Sequence, residues 1–153
     1  MLGGIATAAP FTPVATPVAS PVAGTGCNGL ASYFQAVAAL VDANAGLAVL
    51  EEAGNDVLKL DRDEATLVVR DLNTLIASIG EIAVPEPALA WRAAYLDLLS
   101  WYRDMAASRD PIALQRIINT DRRLFVNLST AILSGQVACP AAWDPAWSAA
   151  FGD

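Results

Sequence analysis

Polar residues set into otherwise apolar helical faces are the positions in this chain best placed to do chemistry. Asn44 interrupts an apolar run seventeen residues after Cys27, and Asp121 interrupts another eighteen residues before Cys139. At a rise of about 1.5 Å per residue, both stand about 26 Å from the cysteine end if their helices are continuous. Counting from the other ends, Arg70 or Asp71 and Trp101 or Tyr102 reach the same height, with Arg122 beside Asp121. This polar layer has two readings. In one it fixes the register of a helical bundle, which is what buried Asn and paired Asp more often do. In the other it is a pocket in which arginines such as Arg70 and Arg122 grip an anionic ligand through bidentate contacts. The register reading is the stronger one.

Two further groups carry weaker signals. Glu51, Glu52, Asp56, Asp61, Asp63 and Glu64 are dense in carboxylates. Calcium takes six to eight oxygens, so Asp56, Asp61, Asp63 and Glu64 form a weak candidate site. Their spacing is not that of an EF-hand loop, and Asp61 with Glu64 already reads as a capping box at a helix start. No metal and no cofactor is expected. Trp143 and Trp147, four apart around Asp144-Pro145, form an aromatic pair suited to a partner contact. With no histidine in the chain, a Ser-His-Asp triad, a histidine-ligated zinc and the Glu-x-x-His pairs of a di-iron bundle are all excluded.

The elements that must position these residues are helices. Trp91, Tyr95, Leu98, Tyr102 and Met105 recur at spacings of 4, 3, 4 and 3 and so share one face. Ala65, Val68, Leu72, Leu75, Ile79 and Ile82 keep an equally regular seam. A third seam runs through Leu30, Tyr33, Val37, Leu40, Asn44, Leu47 and Glu51, and a fourth through Leu114, Ile117, Ile118, Leu124, Phe125, Leu128 and Ile132. Pro87 and Pro111 sit where a helix tolerates proline, in its first turn, and Asp110 precedes Pro111 as an N-cap. The expected fold is all-α, an up-down-up-down four-helix bundle over 27–139 with helices at about 28–53, 62–83, 87–109 and 111–135. The proline-broken tail at 140–153 is expected to be irregular.

The N-terminal stretch has a different composition. Residues 1–9 read as the remnant of a signal peptide, since Ala6-Thr7-Ala8 has the small-x-small form of a cleavage site. Residues 10–26 repeat Thr/Ser-Pro-Val-Ala from Thr12, Thr16 and Ser20. Proline at every fourth position removes donors and fixes φ, so this stretch reads as a disordered, extended linker. In composition it resembles the post-signal linkers of bacterial secreted proteins. Cys27 and Cys139 bracket the folded segment, and an up-down-up-down bundle brings its two ends together, so the pair is expected to form a disulfide.

Nine basic against sixteen acidic residues leave a net charge of −7, which argues against binding nucleic acid or an anionic membrane surface. No run of about 18 apolar residues is free of charges and breakers, so no transmembrane helix is expected. The functional expectation is a secreted or cell-envelope binding module, non-enzymatic, whose partner is a protein or a small apolar ligand. The alternative is an anion-binding protein or enzyme built on the layer of Asn44, Asp71 and Asp121.

Overall fold

A computed structural model describes residues 26–108 and 110–152. The signal remnant assigned to 1–9, and the linker assigned to 10–26 apart from Gly26, lie outside the described residues. The described chain is all-helical, with no strand among the described residues. Its α-helices are α1 (Leu30–Asp42), α2 (Ala45–Glu52), α3 (Arg62–Glu81), α4 (Leu89–Ala107), α5 (Pro111–Ile118), α6 (Asp121–Ala138) and α7 (Trp143–Phe151). Short 3-10 turns at Gly26–Gly29, Val57–Lys59 and Glu86–Ala88 lead into α1, α3 and α4.

Helix α3 follows its sequence pattern. Ala65, Val68, Leu72, Leu75 and Ile79 are buried along one stripe, and Asp61 caps the helix by accepting from the backbone N–H of Asp63 at 2.8 Å and Glu64 at 2.9 Å. In α4 the stripe buries Trp91, Leu98 and Met105, while Tyr95 and Tyr102 stay half-buried. α3 packs on α4, α4 on α6, α2 on α3, and α1 on α7.

Three expectations need correction. The helix expected over 28–53 is two helices, because Asn44 adopts extended backbone (φ −89°, ψ 108°) and its side chain accepts from Leu47 N–H as the N-cap of α2. The segments on either side of this break meet at 70°. The helix expected over 111–135 is likewise two, divided at Asn119 and Thr120, and its second half runs on to Ala138. Asn, Thr and Asp offer the backbone side-chain hydrogen bonds that compete with helix continuation. Lastly, the tail is not irregular, since Trp143–Phe151 forms α7. Pro145 lies in the first turn of that helix, where its missing N–H breaks no bond, and Asp144 beside it suits the positive helix end.

The core is aromatic at the end that carries the cysteines. The Phe34 ring is fully buried, with ring centroids 5.2 Å from Trp91, 5.1 Å from Trp143 and 5.4 Å from Trp147. Cys27 and Cys139 are bonded beside this cluster, their Cα atoms 5.6 Å apart. The bridge ties the 3-10 turn before α1 to the end of α6.

Candidate functional site

Of the residues expected in a mid-bundle layer, the fold brings together Asn44, Arg70 and Asp71. The Asn44 amide donates to the Asp71 carbonyl oxygen at 2.9 Å, and its own oxygen accepts from Leu47 N–H at 2.9 Å. The Asp71 carboxylate accepts from Arg70 Nε at 2.7 Å and lies 2.7 Å from a terminal guanidinium nitrogen of the same arginine. The Arg70 side chain is 69% exposed and that of Asp71 14%. The Asn44 side chain and the Asp71 carbonyl join α2 to α3, while the Arg70 and Asp71 side chains pair with each other on α3. Gly46 permits that junction, because a Cβ there would sit 2.8 Å from the Asp71 Cβ.

The other expected members lie elsewhere. The Trp101 indole donates to the Ile117 carbonyl at the end of α5, and its ring meets Tyr102 at 4.9 Å. Burial raises the Tyr102 phenol above its ordinary range. Asp121 stands in the first turn of α6, where its carboxylate accepts from Arg122 N–H. The level layer required two unbroken rods. Both rods break where their polar residues fall, so Asn44 and the Thr120–Asp121 pair mark helix starts.

The acidic corner is organised by capping. Asp56 accepts from Leu58 N–H at 3.1 Å, and Asp61 caps α3. The hydrogen bond from Glu64 N–H holds the Asp61 carboxyl below its usual range, while the Asp61 side chain beside it pushes Glu64 up. With Asp63 these residues form no group of three or more ligands suited to a metal ion among the described residues. Both tail tryptophans turn inward. Trp143 is buried, and Trp147 is half-buried with its ring 5.7 Å from Trp91 and 4.5 Å from Phe151.

A different surface stands out on α6. Leu124, Ala131 and Gly135 are buried, and Leu128 and Ile132 pack against the core beside them. On the opposite side Val126, Leu133 and Val137 are 57%, 61% and 81% exposed. They are seven and four residues apart, and at about 100° per residue they point in nearly one direction, with the exposed Thr130 between them. Phe125, expected on the buried face, flanks this line at 46% exposure. A shallow groove of about 580 Å³ runs here, lined by Asp121, Arg122, Phe125, Val126, Ser129, Thr130 and Leu133.

Charge frames the line at both ends. Arg122 is exposed at its start and has no ion-pair partner among the described residues. At its far end Gln136 donates to the Asp144 carboxylate at 2.8 Å. Sequence reasoning named one apolar face for this helix and passed over Val126, Leu133 and Val137. The readable signal was an excess, since the segment holds more large apolar residues than one stripe accommodates. Comparison with protein-family models, with curated proteins and with solved structures finds no match for this chain.

Proposed function

We propose that this protein is a non-enzymatic helical binding module of the cell exterior or envelope, and that its working surface is the outer face of α6. The observation that carries the reading is the exposed line of Val126, Leu133 and Val137. Apolar side chains of this size in one row on the solvent side of a helix lower stability and solubility in isolation, and they are retained where a partner covers them. An amphipathic helix or an extended apolar segment fits a row about 17 Å long. Within this reading the domain is an up-down-up-down bundle whose first and last rods are each broken once. The bonded cysteine pair and the proline-rich linker support an oxidising compartment. No single helix among the described residues is long and apolar enough to cross a membrane. A ligand site around Asn44, Asp71 and Asp121 is the weaker reading, because Asn44 is engaged in the α2–α3 junction, the Asp71 carboxylate is paired with Arg70, and Asp121 lies at a different helix start.

The test is a photo-crosslinking side chain placed at Thr130, with Glu81 on α3 as the control position, in cells that make the protein. Both residues are exposed. A discrete adduct from Thr130 that is missing from Glu81, and that disappears on adding Leu133→Asp, supports the α6 face. Equal labelling from both positions, or adduct formation untouched by Leu133→Asp, overturns it.

A further inference from the structure

We infer that the occupant of the α6 face is the same face of a second copy of this chain, the two helices lying antiparallel across a twofold axis. The inference rests on the reading of α6 as the working surface and adds the identity of its partner. Val126, Thr130, Leu133 and Val137 are spaced 4, 3 and 4, which is the seam of a two-helix coiled coil. A seam that closes on itself must be self-complementary, residue i meeting j while j meets i. An axis at the midpoint between Ala131 and Ile132 satisfies this. It sets Val126 against the partner's Val137 and Thr130 against the partner's Leu133, so every apolar residue of the row is covered.

The charges choose the direction. Arg122, Ser129 and Gln136 recur every seven residues along one flank of the seam. In an antiparallel pair this flank meets its own copy, so Arg122 reaches the far end of the partner's α6. There Gln136 holds the Asp144 carboxylate at 2.8 Å, and the helix end carries partial negative charge. Arg122 of each copy therefore meets an acidic helix end on the other, twice per dimer. A parallel pair would instead bring Arg122 beside Arg122 at one end and leave both Asp144 carboxylates together at the other. The row is narrow, so the contact belongs to the small, transient class of interface, and the dimer is in exchange with monomer.

Sedimentation of the purified, oxidised full chain tests this. The expected result is a monomer–dimer equilibrium that shifts with concentration. Leu133→Asp leaves only monomer with an unchanged circular dichroism spectrum, since Leu133 is exposed. Arg122→Ala weakens the dimer by roughly two- to thirtyfold, because an exposed ion pair is lost twice per dimer. Direction is read separately, by mixing Val126→Cys and Val137→Cys chains with a short bis-maleimide. Cross-linking between the two variants, exceeding that within either one alone, supports the antiparallel pair; homotypic Val126→Cys links overturn it. A chain that stays monomeric at every concentration, or a dimer indifferent to Leu133→Asp, also overturns it. A Thr130 adduct with a different protein would remove the self-pairing and leave the α6 binding surface standing, whereas absence of any Thr130 adduct would remove both.

Discussion

Polar groups set into the packed parts of the described residues include some partnered at helix junctions and some sealed without a partner in the aromatic core. Asn44 is the first kind. Its side chain makes one bond along its own chain and one to α3, so Asn44→Ala removes a cap and a tertiary contact together and should lower stability by about 1–2 kcal/mol in chemical denaturation. Tyr33 is the second kind, because its hydroxyl and the Trp91 indole N–H are buried with no hydrogen-bond partner among the described residues. Tyr33→Phe removes an unpaired polar atom and keeps the ring, so at neutral pH it should be neutral or stabilising by up to about 1 kcal/mol. Burial raises the Tyr33 phenol far above its ordinary value, with Arg92 opposing, and pushes Tyr95 up to about 12. A folded value above the unfolded one means that stability is complete below an ordinary tyrosine value of about 10 and is lost as pH rises through the folded value. An alkaline unfolding scan should therefore begin above pH 10 and shift upward in Tyr33→Phe; an unchanged midpoint would show that Tyr33 ionisation does not limit the fold. At this scale the capping pair Asp61–Glu64 was legible in sequence because it is local. The Asn44–Asp71 bond joins residues 27 apart and was reached only as a matter of height along two rods.

Helices α3 and α4 were readable nearly to their ends, since one unbroken 3.6-residue period defines each of them, with the Asp61 cap opening α3 and Pro87 in the turn that leads into α4. The breaks at Asn44 and Thr120 were not, because the apolar period resumes on the far side of each with little change of phase and only the cap geometry reveals the turn. α7 was missed for the opposite reason. Asp144-Pro145 reads in sequence as a helix breaker, yet like Asp110-Pro111 it opens a helix; position relative to the first turn decides which. The docking of α7 depends on one missing methyl group. A Cβ at Gly135 would overlap the Trp143 ring, so Gly135→Ala must displace a buried indole or part α6 from α7. A loss of about 1–3 kcal/mol is expected, with a change in near-ultraviolet circular dichroism from the indoles. Unchanged stability would mean that the ring is not seated against Gly135.

Across the whole molecule, the bridge between Cys27 and Cys139 closes a loop with a sequence separation of 112 residues. In the chain-entropy account such a loop stabilises by about 4–5 kcal/mol. The double variant Cys27→Ser/Cys139→Ser should melt on the order of 15 °C lower than the oxidised chain, and dithiothreitol should produce the same shift in the unaltered chain. A drop of only a degree or two would show that the aromatic core alone holds this end of the fold. Pairing of the cysteines was legible because the two residues bracket the four apolar seams, a pattern that survives the errors in helix continuity.

Everything beyond Cys139 lies outside that covalent ring. α7 is held by edge-to-face aromatic contacts with Phe34 and Trp91, by the Trp143 ring against Gly135 and by the Gln136–Asp144 hydrogen bond. None of these contacts is covalent, so opening α7 severs no crosslink, whereas the helices between Cys27 and Cys139 stay inside the closed loop. The amide protons of α7 should accordingly trade with deuterium sooner than those of α3, and reduction of the bridge should narrow the gap between them.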